Sequence, residues 1–216
     1  MMDKIMIFGG SGGLGKNLAA FLEQDGYEVR SLSSKDVDVK SPEQVEDILK
    51  TRFDAVINMA VQNRNGMLVK QSEEDIKTQI DTNVLGSTHI FKVALRRLKE
   101  QGVAGRIIQI SSILSLHPVP GTSVYSACKA YMDNLVRATS QEAARFGITV
   151  NSLQLGYFDC GLWDQVPEEF QRIVLDKVPL HRTGRVEELH NAIKFILNTQ
   201  FLTGANITLA GGLEAI

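Results

Sequence analysis

The sequence predicts a doubly wound α/β domain, a mostly parallel sheet with helices on both faces. Three observations predict it. Several short β-rich runs are apolar without alternation, as strands covered on both faces are. Segments of helical period separate them along most of the chain. Five glycines fall among the eight residues FGGSGGLG, directly after the first apolar run. With 216 residues, 44% of them hydrophobic, the chain suffices for one domain over 1–216, and no repeat, low-complexity tract or linker divides it.

The first strand, Lys4–Phe8, reads KIMIF and runs into the glycines, and a helix follows over 14–24. The next strand, Glu28–Leu32, leads to DVDV at 36–39. Too few residues lie between them for a helical crossover, which takes about a dozen. Either a strand and helix are shortened here or 36–39 lies along the sheet edge as a loop. Ser41 then caps a helix over 42–50, with Pro42 in its first position. Strands follow at Ala55–Asn58, 106–111, Thr149–Leu155 and Asn206–Leu209. Helices are expected over 73–101, 125–145, 167–177 and Val186–Asn198, the last with Glu187 and Glu188 in its first turn.

A formal net charge of −2 offers no basic field to nucleic acid and no polybasic patch to a membrane. Cys128 and Cys160 lack metal-like spacing and suit a reducing compartment, and none of the four histidines has ligand spacing with a carboxylate or thiol, so no metal is expected. The opening MMDKIMIFGG has no signal-length apolar stretch, which points to the cytoplasm.

The glycines read in two registers: Gly10, Gly12 and Gly15 as G-x-G-x-x-G, or Gly9, Gly13 and Gly15 as G-x-x-x-G-x-G. Either frame joins a strand to a helix start, so bare backbone N–H groups face a pyrophosphate, as in a Rossmann dinucleotide site. The residue at the end of the second strand then selects the nucleotide. Here the chain reads SLSSKD. Ser33, Ser34 and Lys35 favour the 2′-phosphate of NADP(H) over NAD(H), while a small shift would put Asp36 in the place of Lys35.

In the segment ISSILSLHPVPGTSVYSACKAY, Tyr125 and Lys129 lie four apart on one helix face. An ammonium beside a phenol is expected to draw its pKa down and make it a usable acid or base. Ser112 ends a strand at the edge where open α/β sheets bind ligands. Its hydroxyl is placed to hold a carbonyl oxygen that Tyr125 protonates.

On these residues the chain resembles the short-chain dehydrogenase/reductase family over nearly its whole length. The resemblance selects the frame of Gly9, Gly13 and Gly15 and implies catalytic roles for Ser112, Tyr125 and Lys129. It adds Asn83, in DTNVLG, as the residue positioning a water that links lysine to solvent. It further implies cofactor contacts at Ser11, Leu14, Asp38, Val39, Asn58, Met59, Ala60, Gly156 and Phe158. Gly211 to Leu213 resemble the family's closing segment. The chain departs from the family's N-N-A-G at Asn58-Met59-Ala60-Val61. It has Leu155-Gly156 in place of proline-glycine and Cys160 in place of threonine. The family's helix between its second and third strands is missing.

The resemblance implies NADPH-dependent reduction of a ketone to a secondary alcohol. The segments NRNGMLVKQSEEDIKTQIDTN and KVPLHRTGRVEEL are similar to 3-oxoacyl-carrier-protein reductases, implying a 3-oxoacyl thioester, with another small ketone or a sugar-derived carbonyl left open, and an acyl carrier protein that Arg96, Arg97, Arg172, Arg182 and Arg185 would meet. Residues 157–178 are expected to cover the substrate, with Trp163 and Phe170 as an apolar wall. The helices over 73–101 and 125–145 are expected to pair subunits in a homodimer or homotetramer. Two other readings stay open: a non-redox nucleotide-sugar enzyme of the same fold, and an NADPH sensor without catalysis.

Overall fold

The computed structural model describes residues 3–160, 163 and 166–215. Six strands form one parallel sheet in the order β2-β1-β3-β4-β5-β6. They are β1 Lys4–Phe8, β2 Glu28–Leu32, β3 Ala55–Asn58, β4 Arg106–Ser112, β5 Thr149–Leu155 and β6 Asn206–Leu209. The helices are α1 Gly13–Gln24, α2 Pro42–Ile48, α3 Glu73–Ile80, α4 Ser87–Glu100, α5 Ser123–Ala143, α6 Glu168–Lys177 and α7 Val186–Asn198.

Strand alternation divides the core between the two faces. Ile5, Ile7, Ile57, Ile108 and Leu153 meet Leu18 and Leu22 of α1 and Leu189, Ile193 and Ile196 of α7. Met6, Phe8, Val56, Ile107 and Val150 meet Val45 of α2, Ile90, Phe91 and Leu98 of α4, and Val136 of α5. Both faces are dry, which is why β3 and β5 read as unbroken buried runs. Chain direction across the sheet reverses between β1 and β3, so the crevice lies at their carboxyl ends.

Two connections differ from simple expectation. No helix lies between Leu32 and Pro42, and 36–39 is a turn rather than a strand, so β2 is the sheet edge. The helix expected over 73–101 is divided by a π-helical turn at Asp81–Gly86. Two close contacts account for it. The Asn83 amide turns inward to the main chain of Gln62, and Gly86 is so near Val39 that an added Cβ would lie 2.6 Å from its Cγ2. Ser72 caps α3 by accepting from the Asp75 N–H, and Ser41 caps α2 by accepting from the Gln44 N–H. Among the described residues no helix is long and apolar enough to cross a membrane.

Candidate active site

The glycine loop follows β1. Gly9 has φ +79°, and the N–H groups of Gly9 and Gly10 donate to the Leu32 carbonyl at 2.9 and 3.0 Å. A Cβ on Gly9 would lie 2.6 Å from the Ala60 nitrogen, and one on Gly15 would lie 2.7 Å from the Gly9 oxygen. At Gly12 the nearest atom would be 3.8 Å away. Packing therefore demands glycine at 9 and 15 and leaves open space at 12. Gly12 caps α1 without any side-chain hydrogen bond, so the first-turn amides of Gly13, Leu14 and Gly15 are left for another acceptor, with Ser11 exposed beside them.

At the end of β2 the Ser33 hydroxyl and N–H both donate to Asp36, at 2.6 and 2.8 Å. These bonds hold the Asp36 carboxyl below its ordinary pKa. The Ser33 hydroxyl, expected to serve a phosphate, is thus engaged with a carboxylate, while Ser34 and Lys35 are exposed. Asp38 accepts from the Lys40 N–H, and its own N–H donates to Gln44. Val39 is buried against Gly86.

Asn58 is fully buried, its amide donating to Ser87 and Gln109 and its oxygen accepting from the Ala60 N–H. Its side chain shapes the loop from within. Met59 and Ala60 are half-buried beside Gly9. Past β5, the Gly156 N–H donates to Leu209, and a Cβ there would lie 2.7 Å from the Ala210 Cα. The Phe158 ring is buried under Gly184.

Ser112, Tyr125 and Lys129 converge at the carboxyl end of β4. The Ser112 Oγ accepts from the Leu114 N–H at 3.2 Å, and the hydroxyl faces Tyr125 closely enough to pull its pKa down. Lys129 is buried, its Nζ donating to the Ile110 carbonyl at 2.9 Å and lying 5.5 Å from the Tyr125 ring centroid.

The acid–base balance corrects the expectation. Burial pushes the Tyr125 phenol up to about 12, outweighing the Ser112 hydroxyl that pulls it down. Burial likewise draws Lys129 down to about 8. The ammonium lies over the ring and donates to a carbonyl, and the desolvation of both groups outweighs their proximity.

Asn83 is fully buried in the π turn and bonds Gln62 twice, its oxygen accepting from the N–H and its amide donating to the carbonyl, each at 2.8 Å. Burial raises the pKa of the nearby Cys128 thiol, and Asn83 opposes that rise. Sequence reasoning missed a further group. Asp133, one turn after Lys129, is buried and accepts from Ser115, Ser152 and Gln154. Its signal was Ser152 and Gln154, polar residues two apart and so on one face of the buried strand.

Within the segment expected over the substrate, the Trp163 and Tyr157 rings lie 5.2 Å apart. The Phe170 side chain and residues 161, 162, 164 and 165 lie outside the described residues. Glu46 holds Arg96 and Arg97, and Glu188 holds Arg182 through two oxygens, whereas Arg172 and Arg185 are exposed.

Comparison with known proteins follows the same outline. The family described as Enoyl-(Acyl carrier protein) reductase matches residues 11–214. Human 3-oxoacyl-[acyl-carrier-protein] reductase is 31% identical over 241 aligned residues, covering 100% of both chains. The reductase FabG of Staphylococcus aureus is 26% identical over 243, covering 99% of this chain and 98% of its own. Among solved structures, ElxO with NADP bound superposes with a TM-score of 0.90 at 23% identity, covering 100% of each chain. Sorbitol-6-phosphate 2-dehydrogenase SrlD of Erwinia amylovora gives 0.91 at 23%, covering 97% of this chain and 98% of its own. The chain belongs to the short-chain dehydrogenase/reductase family of NAD(P)-dependent oxidoreductases.

Proposed function

We propose that the protein reduces a 3-oxoacyl thioester to the secondary alcohol with NADPH. The observation that carries this reading is the convergence of Ser112, Tyr125 and Lys129 at the strand ends. The residues present fit a dinucleotide. The space at Gly12 and the uncapped N-terminus of α1 form a cradle for a pyrophosphate against Gly9, Ser11, Gly13, Leu14 and Gly15.

Ser34 and Lys35 would hold a 2′-phosphate beside Ser33, and Asp38 and Val39 would border the adenine. Asn58, Met59 and Ala60 would line the ribose. Tyr125 and Lys129 would hold the nicotinamide ribose, and the main chain at Gly156 and Phe158 its carboxamide. When bound, the cofactor supplies the hydride.

The Ser112 hydroxyl donates to the substrate carbonyl oxygen and orients it. Tyr125 gives its proton to that oxygen. A phenol at about 12 enters the reaction protonated, the state a reductase needs of its acid, and an alkoxide is basic enough to take that proton. Lys129 stabilises the phenolate left behind. The Asn83 side chain is engaged with Gln62, so a path for protons from Lys129 toward solvent would use the main chain of the π turn.

The names of the relatives support a substrate presented by an acyl carrier protein. Exposed Arg172 and Arg185 suit its acidic surface. Leu85 and Tyr131, 47% and 40% exposed on the α4–α5 side, suit pairing between subunits. The test follows reduced-cofactor absorbance with 3-oxoacyl thioesters and simple ketones, using NADPH and NADH. Turnover fastest with a thioester and NADPH supports the reading. Cofactor binding without consumption overturns it in favour of a sensor. Tyr125→Phe should lower kcat by about 10²–10⁴-fold while NADPH still binds, and unchanged turnover removes the phenol from the mechanism.

A further inference from the structure

A carboxylate is rarely buried without a cation to pair with it. Asp133 is 4% exposed. Among the described residues it makes no ion pair, yet it has hydrogen-bond donors from two neighbouring elements. Its Oδ2 accepts from the Ser115 hydroxyl at 2.5 Å and from Gln154 Nε2 at 2.6 Å, and its Oδ1 accepts from the Ser152 hydroxyl at 2.7 Å. Ser115 closes the turn that begins just after Ser112. Ser152 and Gln154 lie on one face of β5, and the Gln154 oxygen accepts from Thr208 of β6 at 3.0 Å. Tyr125, Lys129 and Asp133 are spaced four apart, so they stack along one face of α5.

We propose that Asp133 is a positioning residue for this centre: its carboxylate fixes the Tyr125–Lys129 face of α5 against the ends of β4 and β5, and its charge keeps Lys129 an ammonium. The proposal rests on the reading of the site as a ketone reductase. The groups around Lys129 make Asp133 its charge partner. On α5 these are Tyr125, Cys128 and Asp133. The β4 end contributes the Ile110 carbonyl, which accepts from the Lys129 ammonium and is uncharged. Burial draws Lys129 down to about 8, and Asp133 opposes that fall. With Asp133 neutral, Lys129 loses its proton at a lower pH, and the alkaline limb of the reaction moves down with it.

The experiment compares wild-type protein with Asp133→Asn. Lys129 is titrated by NMR on protein with labelled lysine side chains, assigned with Lys129→Arg, and the pH profile of kcat/KM is measured with NADPH and a 3-oxoacyl thioester. Asp133→Asn should move the Lys129 titration and the alkaline limb to lower pH together. At about pH 8, a shift of one unit lowers the protonated fraction, and with it the rate, by about fivefold. Ser152→Ala removes one donor and keeps the charge, so it should lower Tm and leave the limb in place.

A Lys129 titration unmoved in Asp133→Asn overturns the proposal. Should that variant fail to fold, Asp133→Glu keeps the charge and should hold the limb at the wild-type position, and a limb moved down overturns it. If wild-type protein consumes no NADPH with any ketone, the reductase reading fails, while the NMR titration still decides what Asp133 does to Lys129.

Discussion

Gly9→Ala measures how much the fold spends on bringing the glycine loop close to β3. At Gly9 the backbone is left-handed, φ +79°, which costs an L-residue about 1–2 kcal/mol. The added Cβ would also lie 2.6 Å from the Ala60 nitrogen and 2.6 Å from the Met59 carbonyl carbon. Both are main-chain atoms at the end of a buried strand, so no side chain can swing aside, and overpacking adds about 1–3 kcal/mol. The expected loss is about 2–5 kcal/mol, or a fall in Tm of about 4–20 °C for a chain of this size.

Gly12→Ala is the internal control. Gly12 has φ −69° and its nearest neighbour would be 3.8 Å from the new Cβ, so the loss should stay within about 1 kcal/mol while the pyrophosphate cradle is narrowed. Urea unfolding at constant m-value and thermal melts read the stabilities, and quenching of cofactor fluorescence reads NADPH binding. The reasoning predicts a variant at 9 that is unstable and a variant at 12 that is stable but binds NADPH poorly. Equal stability of the two variants would refute the steric argument and with it the choice of glycine frame.

Two further outcomes follow from charge. Lys35→Ala should lower affinity for NADPH by about tenfold, the loss of a charge-assisted contact, and leave NADH affinity unchanged. Equal NADPH affinity by titration calorimetry would transfer the phosphate assignment away from Lys35. Arg182 and the Arg185 N–H hold the Glu188 carboxyl at about 2, well below its ordinary 4.5. A carboxyl depressed on folding stabilises above its ordinary pKa, so this contribution is fully present above about 4.5 and disappears as pH falls to about 2. In wild-type protein Tm should therefore drop through that window more steeply than in Glu188→Gln, as acid-range melts would show.

The sheet was legible because its signal is local. Lys4–Phe8, Glu28–Leu32, Ala55–Asn58, Thr149–Leu155 and Asn206–Leu209 stand where their β-rich runs placed them, and β4 ends one residue later than expected. An uninterrupted apolar run needs no partner to declare it buried on both faces. The π turn at Asp81–Gly86 was not legible, since it rests on contacts distant in sequence: the Gln62 main chain, 21 residues away, bonds Asn83 twice, and Val39 packs on Gly86.

The same distinction runs through the site. Spacing of four put Tyr125 beside Lys129, but spacing carries no information about water. The direction of both pKa shifts came from desolvation, which is set by α5 lying on β4 and β5. Asp133 shows the consequence most clearly. On the helix alone it is one more polar residue four after Lys129, and Ser152 and Gln154 are two of the polar residues of a buried strand. Each is costly where it stands, and together they cancel one another's cost, because the carboxylate accepts what the strand donates. A buried strand with polar residues two apart therefore marks a carboxylate or another acceptor on the helix packed across it.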